Sequence, residues 1–144
     1  MRAMAGRYGM SFAAELNEKG DYEEALEAAT SAMSAEKENP EPFADRAAAY
    51  DGLERYAEAA RDLERALELN AAARVIDHDN LDDALFSALV GAAKVEVETS
   101  VDAAVALLAR YAKVLPKGRH VRDADDWRKR LRGEMPSLLD ERDK

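Results

Sequence analysis

The run Asp77-His78-Asp79-Asn80-Leu81-Asp82-Asp83 gathers four carboxylates, an amide and an imidazole, the densest set of potential ligand atoms in the chain. Oxygen-rich runs of this kind hold divalent cations when the oxygens fall at alternate positions, a central glycine turns the loop and a distal Glu closes it. Here Leu81 occupies the third ligand place and no glycine follows. The run therefore reads as the start of a helix, with Asp79 and Asn80 as cap and Asp82 and Asp83 as an acidic first turn. No metal is expected. Catalytic groups are equally sparse. The histidines are His78 and His120, cysteine is absent, and no nucleophile motif, glycine-rich phosphate loop or apolar-flanked carboxylate pair occurs. The sequence thus predicts no enzyme and no cofactor, and a metal-binding or enzymatic role ranks third behind two binding roles.

Charge narrows the partners. The 144 residues carry a formal charge of −9, distributed as −12 from Met1 to Arg110 and +3 from Tyr111 to Lys144. An acidic body repels phosphate, and the basic residues Lys117, Arg119, Arg122, Arg128, Lys129, Arg130 and Arg132 are diluted by Asp123, Asp125 and Asp126, which disfavours nucleic acid. No apolar run approaches the ~18 residues that span a bilayer, and Met1 to Met10 is too polar for a secretory leader. A single cytoplasmic domain without a membrane segment is the expectation. A chain of about 150 residues hides roughly two thirds of its unfolded surface and needs no disulfide staple.

The elements that must position any site are helices. Apolar residues recur with helical spacing along nearly the whole chain, and no stretch alternates with period two, so the fold class is all-α. The chain also repeats itself. Gly20-Asp-Tyr-Glu-Glu-Ala-Leu returns in form as Glu54-Arg-Tyr-Ala-Glu-Ala-Ala, so that Tyr22 maps to Tyr56, Ala25 to Ala59 and Ala32 to Ala66, each 34 positions on. Phe43, Ala47, Tyr50, Ala59, Leu63 and Ala66 fill the large and small positions of one copy, with Arg46 out of character. Phe12, Ala13, Leu16, Ala25, Ala29 and Ala32 fill those of the preceding one, where Gly9 stands at the bulky position. A 34-residue unit of two helices with this pattern resembles the tetratricopeptide repeat.

The resemblance implies a superhelix of helical hairpins, with copies at about residues 6–39, 40–73 and 85–118 in a domain of residues 1–135. The third copy is irregular. Anchored on Pro116 as its closing proline, it takes Ala88, Gly91, Ala92 and Val95 on its first helix and Ala104, Leu108 and Tyr111 on its second, and it lacks the Tyr before the small alanine. Eleven extra residues separate it from the second copy, so residues 74–84 read as an irregular connection, with the helix before it running on towards Ile76. Alanines at the crossings let helices approach closely. Asp21 with Glu24, and Thr99 with Asp102, have the spacing of capping boxes. Val121, Ala124, Trp127 and Leu131 form one apolar edge of a capping helix at about 121–133, with Arg128, Lys129 and Arg130 outward. Residues 136–144 form a polar tail.

In this family the first helices of the hairpins line a concave groove that binds peptides or helices. Transferred to this chain, the groove residues are Met10, Ala14 and Glu18, then Ala44, Asp45, Ala48 and Asp51, then Phe86, Leu89, Val90 and Ala93. The floor is apolar and the edges acidic. The partner this implies is a protein segment with apolar anchors and basic flanks, and acidic chaperone tails are disfavoured because Met10, Ala14 and Asp45 stand where cationic or amide clamps are needed. Phe86, Leu89 and Val90 make a second apolar stripe on the helix from Leu81 to Val95, beyond the stripe that docks it. Either another chain covers them, or the extra residues near Ala73 to Asp79 or the C-terminal helix fold over them within one chain. The first possibility, with the charge asymmetry, supports the alternative reading of a self-associating homo-oligomeric scaffold.

Overall fold

The computed structural model describes residues 10–134; the first residues of the first copy and the tail 136–144 lie outside the described residues. The helical spacing becomes seven α-helices: α1 (Phe12–Lys19), α2 (Tyr22–Ala35), α3 (Pro40–Gly52), α4 (Tyr56–Ala73), α5 (His78–Glu96), α6 (Val101–Val114) and α7 (Val121–Leu131). The described residues contain no strand. Each helix packs against the next in the chain, and α1 packs in addition against α3. Among the described residues, no helix is long and apolar enough to cross a membrane.

Small residues sit at the crossings. Ala25, Ala59, Ala66 and Ala104 have no exposed surface, and Leu16, Leu63, Leu85 and Leu108 fill the spaces between them. Ala32 departs from this pattern and is half-buried.

The first two helix–helix junctions close identically at 34-residue spacing. After α1, the Gly20 amide donates to Asn17 O at 3.0 Å and the Asp21 amide to Leu16 O at 2.9 Å. After α3, the Glu54 amide donates to Asp51 O at 2.9 Å and the Arg55 amide to Tyr50 O at 2.8 Å. This reciprocal closure needs a left-handed residue. Gly20 supplies it at φ 81°, and Glu54 adopts it at φ 60° despite its Cβ. The turn after α5 is built differently, with the Ser100 amide donating to Glu96 O and no positive φ.

Three local expectations are corrected. Asp21 makes no side-chain cap, so the Asp21/Glu24 capping box does not form. The cap of α6 is Ser100, whose hydroxyl accepts from the Ala103 amide at 3.0 Å, one residue on from Thr99. The irregular connection expected over 74–84 shrinks to 74–77, since α4 stops at Ala73 and α5 begins at His78 with Asp77 as its cap. The stop signal is Asn70. Its amide oxygen accepts from the Val75 and Ile76 amides, both at 3.0 Å, while its nitrogen donates to Ile76 O at 2.8 Å, folding the chain back over the helix end. Arg46, the misfit of the second copy, makes a two-pronged ion pair with buried Asp62 of α4, at 2.7 and 2.8 Å. A planar guanidinium matches a carboxylate in this way, so the polar pair replaces an apolar contact between α3 and α4.

Candidate functional site

A cleft of about 320 Å³ separates α3 from α5. Ala44 and Ala48 form its α3 wall, Ala84 and Ala88 its α5 wall, and Leu63, Ile76 and Leu81 its floor. Asp51, Asn80 and Ser87 stand on the polar rim. Ala44, Ala48 and Asp51 are spaced i, i+4, i+7, which puts them on one face of α3. α1 and α3 pack directly on each other, a contact that α3 and α5 do not match in extent.

The acidic groove residues divide into tied and untied. Asp45 accepts from the Ser11 hydroxyl at 2.6 Å, and its backbone carbonyl accepts from the Asn17 side chain at 2.9 Å, so it serves to hold α1 on α3. Glu18 is exposed on α1 and, with half-buried Met10 and Ala14, lies outside the cleft lining. Asp51 is different. Its surroundings desolvate the carboxyl and raise its pKa above the ordinary value, and the nearby cations are engaged elsewhere, Arg46 with Asp62 and Arg55 with Glu58 at 2.7 Å.

The groove positions transferred to α5 are corrected. Leu89 is 1% exposed and Ala93 2%, both inside the core. Phe86 and Val90 are half-buried against residues of the same chain. Val95, expected to face its own hairpin, is instead 59% exposed. The physical reason is a shift of the helix by six residues. A Cβ added at Gly52 of α3 would collide with the Tyr22 ring, and one added at Gly91 of α5 would collide with the Tyr56 ring. These paired contacts make Gly91 the equivalent of Gly52, 39 positions on, whereas the second helices of the two hairpins begin 45 apart at Tyr56 and Val101. The extra residues therefore lie partly before Gly91 and partly after it, where α5 runs on to Glu96. Moving Phe86, Val90 and Ala93 back by six gives Asn80, Ala84 and Ser87, which with Leu81 and Ala88 line the cleft, whereas Leu89 maps to Asp83, outside the lining. A glycine within an otherwise good helix, opposite a tyrosine that already had a partner glycine one copy earlier, was the signal for this register.

The second apolar stripe is partly covered within the chain, with Phe86 against Tyr111 of α6 and against His120 at the start of α7. Val90, Trp127 and Leu131 pack on the cluster of Ala93, Ala104 and Leu108, and the Lys94 ammonium lies 5.5 Å from the centre of the Trp127 ring. Ahead of α7, a polar and aromatic clamp joins three helices. Asp82, 1% exposed, accepts from the Tyr111 hydroxyl and from the Arg119 amide at 3.0 Å. The Tyr111 oxygen in turn accepts from the His120 amide at 2.9 Å. The His120 ring stacks on Phe86 with centroids 4.4 Å apart, and its Nε2 meets Asp83 Oδ1 at 2.7 Å. Burial, then the Asp82 hydrogen bond, raises the Tyr111 pKa well above its ordinary value. Burial works against the charged form of His120, but hydrogen bonds to Asp83 and Asp123 outweigh it and raise its pKa.

Asp82, Asp83 and His120 place three ligand atoms within 4.8 Å of one another, a grouping the run from Asp77 to Asp83 did not disclose because His120 lies 37 positions away. The carboxylate oxygens of Asp82 are engaged by Tyr111 and Arg119, and His120 Nε2 is engaged by Asp83. The arrangement works as a clamp between α5 and the turn into α7. No protein-family model, curated protein or solved structure matches this chain.

Proposed function

We propose that the protein is a tetratricopeptide-like adaptor that holds a segment of another protein in the cleft between α3 and α5. The observation that carries this reading is the cleft itself: alanine walls on two helices that stand apart, with an apolar floor and a rim of Asp51, Asn80 and Ser87. Small walls admit a helix or extended chain at close range, and apolar floors with a few polar groups are the usual make-up of recognition sites. The tetratricopeptide resemblance supports this reading, since it implies a peptide-binding surface on the first helices of the hairpins, to which α3 and α5 correspond. The ligand that fits is a segment with apolar anchors and a basic flank.

The self-associating scaffold is less favoured, because Phe86 and Val90 are already half-buried against residues of the same chain. Affinity capture from the native cell with wild type and with Ala48→Trp is the test of the adaptor. Ala48 is exposed on the cleft wall, so the indole fills the cleft without entering the core. A specific partner retained by wild type and lost by a folded Ala48→Trp is the expected outcome. A partner held equally by both would place binding elsewhere.

A further inference from the structure

Asp51 closes the cleft at the C-terminal end of α3, one turn beyond Ala48. Two sources of negative potential coincide there. One is the carboxylate. The other is the helix end, whose last carbonyls carry partial negative charge, and the last turn of α3 contains no basic residue to answer it. The described residues give the Asp51 side chain neither a hydrogen bond nor an ion pair. The side chain is exposed to solvent at the cleft rim, and partial desolvation by its surroundings raises its pKa. From this end the apolar wall of Ala48, Ala84 and Ala88 leads inward to Leu63 and Ile76.

An anionic mouth leading to an apolar trough is the complement of a long side chain with a methylene stem and a cationic head. We propose that the cleft receives a lysine or arginine side chain of the partner segment, with its stem along Ala48, Ala84 and Ala88 and its charged head paired with Asp51. The inference rests on the adaptor reading and gives it a specificity-determining residue. It also separates the acids that the sequence grouped together: Asp45 holds α1, and Asp51 selects the ligand. A small hydrated cation would use the carboxylate and leave the apolar trough unfilled, so the trough favours a cation carried on an alkyl stem.

The test uses the full chain and a displayed library of short helical segments, with apolar residues fixed at helical spacing and the remaining positions randomised. Selection on wild type is expected to enrich Lys or Arg at one fixed place relative to the apolar anchors. The enriched peptide, made synthetically, should bind Asp51→Asn about tenfold more weakly than wild type, and selection on Asp51→Lys should enrich Glu or Asp at that place. Far-UV circular dichroism checks that each variant keeps its helices. Peptides without a positional cation preference, or with equal affinity for wild type and Asp51→Asn, overturn the cation inference. If Ala48→Trp still blocks those peptides, the adaptor reading stands without it. Peptide binding that survives Ala48→Trp, or no enrichment on wild type, overturns both.

Discussion

The two halves of the molecule solve the same packing problem with different materials. From α1 to α4, helices meet through alanines with no exposed surface and through the repeated turn closures at Gly20 and Glu54. From α5 to α7, the helices are joined by a larger, more specific set of contacts: Asp82, Tyr111, Arg119 and His120 in one hydrogen-bonded clamp, with Phe86 stacked on the histidine. Arg110 of α6 reaches back to Glu64 of α4 at 2.7 Å, and Glu64 also lines, with Ile76, a second cleft of about 690 Å³. Where a unit keeps its length, small residues set the spacing, and single polar contacts such as Arg46–Asp62 and Ser11–Asp45 tie neighbouring helices. Where extra residues shift one helix past its neighbour, polar groups must fix the new arrangement, and a gap is left beside it.

The contrast can be broken most severely at Leu89. Leu89→Asp buries an unpaired charge beneath α6 and α7 and should cost more than about 4 kcal/mol, enough to unfold the chain in thermal or denaturant melts. Val95→Asp, on the same helix but 59% exposed, should stay within about 0.5 kcal/mol of wild type. Equal behaviour of the two would mean that the stripe around Leu89 is not core. Next in size is Ala59→Leu, which overpacks the α4 crossing and should lower the denaturation midpoint by the equivalent of roughly 1–3 kcal/mol. An unchanged midpoint would show that the alanines of the regular half do not set its spacing.

A smaller effect comes from Glu54. Its left-handed backbone is strained for a residue with a Cβ, so Glu54→Gly should stabilise the chain by up to about 1 kcal/mol, read as a raised melting midpoint. Loss of stability would mean that the Glu side chain makes a contact worth more than the strain. The smallest and most diagnostic effect is on the clamp. The folded pKa of His120 is raised, so its contribution is fully present below the unfolded value near ~6.5 and is lost as pH rises through the folded value. Wild type should therefore lose a little stability from about pH 6 to 8, and His120→Gln should flatten that slope. A rising slope in wild type would reverse the assignment.

The legibility of the sequence follows the same division. Tyr22, Ala25, Tyr56 and Ala59 repeat at a fixed spacing, so the regular hairpins and the all-helical class could be read from them. The second helix of the third hairpin was equally readable, since Ala104, Leu108 and Tyr111 are fully buried as their spacing requires. Its first helix was not. A count anchored on Pro116 puts every extra residue ahead of position 85, and it assigned the groove to Phe86, Leu89, Val90 and Ala93 instead of Asn80, Ala84 and Ser87. Insertions are silent in a periodic sequence, because a helix lengthened within its own span keeps its period. The clamp was hidden for another reason: Asp82, Tyr111 and His120 have no fixed spacing and are united by tertiary packing alone.

The contact of Tyr22 on Gly52 and of Tyr56 on Gly91 also acts as a rule of succession. Each hairpin offers a phenol ring at the start of its second helix, and the following helix must present a bare backbone to receive it. A hairpin copied elsewhere in the chain would dock only behind a unit whose tyrosine finds that vacancy. The last hairpin offers none: α6 begins with Val101, and α7 contains no glycine. Among the described residues the succession thus stops at α6, and α7, with Asp125 and Lys129 paired at 3.1 Å, docks on α6 by other means.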